Sequence, residues 1–101
     1  MYVVVWQFEV LPEHLEEFLT HYGPGGTWTA LFSASQAYVR TELLRSLEHP
    51  TEFLTLDYWT TQDDYVRFQS ASREEYANLD RRFERLTVRE ERIGDFTKGD
   101  G

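Results

Sequence analysis

The chain has 101 residues and no cysteine, and its 10 Lys and Arg stand against 18 Asp and Glu, a formal charge of −8. That length suits one domain, and the missing cysteines exclude disulfides, thiolate nucleophiles and cysteine metal sites. The acidity opposes binding to phosphate backbones, so no nucleic-acid partner is expected, while 41% apolar residues, with 3 Trp, 6 Tyr and 7 Phe, argue against disorder.

The opening run from Met1 to Val10 is apolar, but no basic region precedes it and Glu9 interrupts it. It is too short for a signal peptide or a membrane span, so no membrane partner and a cytoplasmic location are expected. Its β-branched and aromatic residues predict a strand over Tyr2 to Val10. Val4, Trp6, Phe8 and Val10 form a large apolar face, and Val3, Val5, Gln7 and Glu9 a mixed one. Such a strand suits a sheet covered by helices on one side and by a partner on the other.

Pro12 is placed for a first helical turn, where its missing N–H costs nothing. Glu13, Glu16 and Glu17 put negative charge near the start of that helix, as its dipole prefers. Leu15, Phe18, Leu19 and Tyr22 make one apolar stripe. Gly23 and Pro24 end the helix, and Gly25-Gly26 form a corner. A short second helix, Thr27 to Ser35, carries Trp28, Leu31 and Phe32, with Thr27 as its expected cap.

Tyr38 to Ser46 reads as the second strand. Strict alternation puts Val39, Thr41 and Leu43 on one face and Tyr38, Arg40, Glu42 and Leu44 on the other. Leu47 to Thr51, containing Pro50, is a hairpin connection. Phe53 to Trp59 is the third strand, with Phe53, Thr55, Asp57 and Trp59 opposed to Leu54, Leu56 and Tyr58. Thr61 and Asp64 open a helix with Tyr65 and Phe68 inward, and Ser72 with Glu75 makes a second, better capping box. From there Tyr76, Leu79, Phe83 and Leu86 line one side of a helix, and Arg81, Arg82 and Arg85 the other. Val88 to Phe96 closes as a fourth strand, with Gly94 a candidate bulge. Residues 97–101 read as a loose tail, leaving 1–96 as the domain.

This β-α-β-β-α-β order is that of the ferredoxin-like α+β fold, a four-stranded antiparallel sheet with helices on one face. The other face would hold Val3, Val5, Leu54, Leu56 and Tyr58, too apolar to leave in water. A homodimer joined sheet to sheet would cover it.

From Val3 to Phe96 the chain resembles the antibiotic biosynthesis monooxygenase family of the dimeric α+β-barrel superfamily. The resemblance is carried by Val10-Leu11-Pro12-Glu13, Tyr22-Gly23-Pro24, Trp28, Leu31-Phe32 and Thr41-Glu42-Leu43-Leu44-Arg45. It rests most on Asp57-Tyr58-Trp59-Thr60-Thr61 before the helix with Tyr65 and Phe68, and then on Tyr76. It implies a pocket between each protomer's sheet and its helices. Characterised members oxidise anthrone- or quinol-like aromatics with O₂ and neither metal nor flavin, the substrate supplying the electrons. The protein then has only to deprotonate, enclose and stabilise the anion. Haem-degrading relatives also share a tryptophan at the position of Trp59. However, Trp6 stands where they carry Asn, and Tyr76 and Leu79 stand where an iron-ligating His would be needed, so no haem is expected.

The candidate pocket residues are Trp6, Phe8, Thr41, Asp57 and Trp59 from the sheet, facing Tyr22, Trp28, Phe32, Tyr65 and Tyr76 from the helices. They make either a flat ligand's walls or simply core. Asp57, an acid inside an apolar strand, is costly unless paired. It is either a general base raised by desolvation or a structural acceptor. His21, at a helix end, is either a proton shuttle or a dipole-stabilised surface group. His14 with Glu17, or Glu16 with His21, would lie on a surface turn, and His49 reads as exposed, so no metal is expected. Gly23-Pro24-Gly25-Gly26 lacks the strand before it and the Lys after it that a phosphate loop needs. The resulting expectation is a cofactor-independent monooxygenase of a small aromatic or polyketide-like molecule. Its alternatives are a non-catalytic binding or assembly module, and a cyclase or isomerase of the superfamily.

Overall fold

Four strands, β1 (Tyr2–Val10), β2 (Tyr38–Arg45), β3 (Glu52–Trp59) and β4 (Thr87–Thr97), form one antiparallel sheet in the order β2-β3-β1-β4. The computed structural model describes residues 1–98. Between β1 and β2 lie a 3₁₀ turn (Pro12–His14), α1 (Leu15–Tyr22) and α2 (Thr27–Phe32). Between β3 and β4 lie α3 (Gln62–Ala71), α4 (Arg73–Phe83) and a second 3₁₀ turn (Glu84–Leu86). All pack on one face of the sheet, as the element order requires. No helix among the described residues is long and apolar enough to cross a membrane.

The core is aromatic. From β1, Tyr2, Val4, Phe8 and Val10 point into it, and Phe53 and Trp59 do so from β3. Phe18, Tyr22, Trp28, Phe32, Phe68 and Phe83 come from the helices. The alternation of β1 selects one face for all four of its core residues. Phe18 stacks on Tyr22 at 4.4 Å and tilts against Phe53 at 5.1 Å, which fixes α1 across the sheet.

Several local expectations change in the structure. Pro12 opens a 3₁₀ turn rather than α1 itself. Thr27 is the first residue of α2, not its cap. Gly26 holds the cap position because a Cβ there would meet the Thr20 and His21 carbonyl oxygens at 2.6 and 2.7 Å. The α2 helix ends at Phe32, three residues early. Thr61 caps α3 through Asp64 N at 3.1 Å, but Ser72 makes no side-chain cap for α4. Ser72 also terminates α3, donating its amide to Phe68 O at 2.9 Å, and its backbone lies at φ −113°, ψ 20° rather than in the extended region usual for a cap.

The second strand departs from simple alternation. A register shift between Tyr38 and Arg40 bulges out Val39, so Tyr38 joins Thr41 and Leu43 on the helix side, against Phe32 at 5.5 Å and Trp59 at 5.3 Å. Gly94 does mark a bulge. Its φ is 152°, and the pairing jumps from Val5↔Gly94 to Trp6↔Arg92. The fourth strand is longer than expected by one residue at each end: Thr97 belongs to it, and Lys98 N bonds Met1 O at 2.9 Å. Of the expected tail, residues 99–101 lie outside the described residues.

The far face of the sheet carries Val3, Val5, Leu54, Leu56 and Tyr58, with no helix over them. Leu44, Ile93 and Phe96 extend this apolar surface and are all exposed. Charges frame it at β2, where Arg40 lies over the Tyr58 ring at 4.0 Å and Tyr58 donates to Glu42 at 2.5 Å.

Candidate functional site

A cavity of about 30 Å³, room for a water or two, lies between the inner sheet face and the helices and is partly open to solvent. The sheet contributes Trp6 and Phe8 from β1, Thr41 from β2, Thr55 and Asp57 from β3, and Glu90 from β4. The helices contribute Tyr22 from α1, Trp28 and Phe32 from α2, and Tyr76 and Asp80 from α4. The placement follows from pairing. Val4 and Thr41 flank Asp57 in register on either side, and Phe8 is paired with Glu90, so these residues share one face. On α4, Tyr76 and Asp80 are four residues apart and project from the same side.

Asp57 is the chemically distinctive member. Its side chain is buried, and its Oδ1 accepts the Thr41 hydroxyl at 2.6 Å. The single Thr41 hydroxyl proton goes to Asp57, so Tyr38 O–H must be the donor in its 2.7 Å bond to Thr41 Oγ1. The result is a chain from Tyr38 through Thr41 to Asp57. Burial pushes the Asp57 carboxyl up to about 6 and the Thr41 bond holds it down only partly. Oδ2 is left for whatever occupies the cavity.

Burial also raises the Tyr22 and Tyr76 hydroxyls above their ordinary range, so both remain O–H donors at neutral pH. Trp28 meets Tyr76 edge-on at 4.9 Å. Its buried indole N–H approaches the Tyr22 hydroxyl, near enough to lower that hydroxyl's pKa a little against the effect of burial, but without good hydrogen-bond geometry. Such a donor is costly to leave unmet.

The structure therefore brings Trp6, Phe8, Tyr22, Trp28, Phe32, Thr41, Asp57 and Tyr76 around one cavity and leaves out three expected residues. Trp59 is 0% exposed and sits in the core, with Phe68 at 4.9 Å, Tyr65 at 5.2 Å and Phe32 at 5.5 Å. Tyr65 is a second layer, between Trp59 and Tyr2, with Gln69 donating to its hydroxyl at 3.0 Å. His21 is not on the wall. Its ring stacks on Phe83 at 4.3 Å and its Nδ1 meets Thr27 Oγ1 at 2.7 Å. Asp57 is thus the acid or base that the cavity holds deep inside.

Reading by composition passed over Asp80, Glu90 and Tyr38. Asp80 was legible as the residue one turn beyond Tyr76, and Glu90 as an inward position of a strand whose faces the sequence leaves ambiguous. Tyr38 was hidden by the bulge. Among the described residues no three His, Asp or Glu side chains converge as a metal site.

The family model described as antibiotic biosynthesis monooxygenase matches residues 1–77. No curated protein sequence matches the chain. Among solved structures, a point mutant of SnoaB of Streptomyces nogalater, a cofactor-independent oxygenase, superposes with TM-score 0.74 at 20% identity, covering 99% of this chain and 94% of its own. A conserved protein of Methanosarcina mazei Go1 gives TM-score 0.70 at 15% identity over 96% of this chain and 91% of its own. A candidate antibiotic biosynthesis monooxygenase of Deinococcus radiodurans gives 0.72 at 11% identity over 100% and 95%. At these identities the structural likeness is one of fold.

Proposed function

Because the chain belongs to the antibiotic biosynthesis monooxygenase family, we propose that it oxidises a small aromatic or polyketide-like molecule with O₂ in the cavity between sheet and helices. The observation that carries this reading is Asp57, a buried carboxyl raised to about 6 inside an aromatic-walled cavity. Above that pH it stands mainly as carboxylate and can accept a proton from an activated methylene or phenol of the substrate. The Tyr22 and Tyr76 hydroxyls donate to the resulting oxyanion, as does the unmet Trp28 N–H. The substrate carbanion then gives its electrons to O₂. A C–O bond forms, the O–O bond breaks, and a methylene becomes a carbonyl as the second oxygen leaves as water. Overall, R₂CH₂ and O₂ give R₂CO and H₂O.

A ring system is larger than the cavity, so binding requires the half-buried side chains at its mouth, Trp6 and Tyr76, to swing aside. The test is O₂ uptake with dihydroxyanthracene- and quinol-like compounds. Uptake by the native protein should fall about 10²- to 10⁴-fold in Asp57→Asn, the usual loss for a proton-transfer group, and should be unmoved in His21→Gln. Binding without O₂ uptake would favour the module or the isomerase instead.

The functional unit in this reading is a homodimer, supported by the uncovered apolar face around Val5, Leu54, Leu56 and Phe96. Sedimentation at micromolar concentration should give twice the 12.0 kDa chain mass. Leu56→Asp, which places a charge in that face, should give the single-chain mass with the helix content unchanged. A native protein of single-chain mass would remove the dimer.

A further inference from the structure

The charges around the cavity all have one sign. Three carboxylates line it, Asp57 deep inside, the exposed Asp80 and the half-buried Glu90, and among the described residues no Lys, Arg or His does. Burial and neighbouring carboxylates raise both outer acids above their ordinary values: Asp80 by desolvation and then Glu84, Glu90 by desolvation and then Asp80 and Glu84. Of the arginines on the surrounding elements, four are engaged elsewhere. Arg81 donates to Asn78 and Arg82 lies over the Phe83 ring at 5.2 Å. Arg85 pairs with Glu17, and Arg92 faces Asp95 at 3.9 Å. Among the described residues Arg73, two turns before Asp80 on α4, pairs with nothing and lines an adjoining surface groove that shares Tyr76 and Asp80 with the cavity, so it is the one cation near the mouth, outside the cavity lining itself.

Two further features of the cavity suit a ligand. The aromatic rings of Trp6, Trp28 and Tyr76 line the same space as the acids, and a cation over an aromatic face is attracted. The Trp28 N–H, on a residue 6% exposed, makes no well-formed hydrogen bond and only approaches the Tyr22 hydroxyl, so a ligand oxygen would complete it.

We propose that the cavity selects aromatic ligands carrying a protonated amine, with the ammonium at the mouth between Asp80 and Glu90 and an oxygen toward Trp28, and disfavours ligands with a carboxylate or phosphate at that end. This deepens the oxygenase reading by naming the substrate's charged group, and it rests on that reading only in placing the ligand in this cavity.

Three probes of matched shape test it by calorimetry, with the three indole N–H NMR signals reporting position: 2-naphthylmethylamine, 2-naphthylacetate and 2-methylnaphthalene. The amine should bind about tenfold tighter than the acetate and shift the Trp28 signal. In Asp80→Asn/Glu90→Gln the ratio should fall to about twofold, and it should hold in Glu74→Gln, a control acid at the other end of α4. Equal binding of all three probes would overturn the charge selection and leave the cavity reading intact. A preference that survives in the double variant would also overturn it, since the overall acidity of the protein would then be the cause. Failure of all three probes to bind would remove the cavity as a ligand site and the proposal with it.

Discussion

Asp57→Asn should be more stable than the native protein at neutral pH, and by a wide margin. Burial raises the folded-state carboxyl from 3.8 to about 6, so between those values the folded protein holds a proton that the unfolded chain has released. The stability this contributes is complete below about pH 4 and is lost as the pH rises through 6. Above pH 6 the folded protein carries a buried charge at a cost on the order of 3 kcal/mol. Asparagine is nearly the same shape and keeps an oxygen for the Thr41 hydroxyl, but it never ionises. Thermal melts at pH 7.5 should therefore place the variant roughly 10 to 20 °C higher. The difference should shrink to nothing near pH 4. Equal melting temperatures at pH 7.5 would mean that Asp57 ionises without penalty, and the case for it as a tuned base would go. A gain in stability at the expense of O₂ uptake is what a group retained for chemistry rather than for folding produces.

The second large effect separates two tryptophans that look alike in the sequence. Trp59→Ala should cost about 3–5 kcal/mol, the usual result of emptying a filled aromatic site, out of the roughly 5–15 kcal/mol that holds a domain together. Trp59 is fully buried and touches rings from β2, α2 and α3, so no neighbour can close the gap alone. Trp6→Ala, at a half-buried wall position, should cost about 1 kcal/mol while abolishing binding of the naphthyl probes. Urea melts and titrations on the two variants read this directly. A Trp6 variant that unfolds as readily as the Trp59 variant would make Trp6 core rather than wall.

Much of the fold was readable because the sequence states it redundantly. The alternation of β1, the stripe of Leu15, Phe18 and Tyr22 on α1 and the cap at Thr61 each agree with the element order, whereas Leu19, read into that stripe, is exposed. What misled was parity. A strand read by strict alternation assigns Tyr38 to the outer face, and a single extra residue at Val39 reverses it. No composition signal announces that bulge, whereas Gly94, with its positive φ, announced the other. The site was half legible for a related reason. Inner-face residues can be enumerated from pairing, but depth cannot. Trp6 and Trp59 lie on the same face of neighbouring strands, and only the packing of α3 decides that one is covered while the other stays at the wall. His21 was drawn toward the cavity by its neighbour Tyr22, yet adjacent residues on a helix point about 100° apart.

The strand order leaves β2 and β4 as the two unpaired edges, and their composition bears on how the protein behaves when crowded. An open edge is a template for another strand, and chains with flat apolar edges grow into fibres. Here β2 carries Arg40, Glu42 and Arg45, β4 carries Arg89, Glu90, Glu91 and Arg92, and each is interrupted by a bulge. A second strand arriving at either edge meets charge and broken register together. The aggregation risk is thereby moved off the edges and onto the apolar face, so that concentrated protein should associate face to face before it ever forms fibrils.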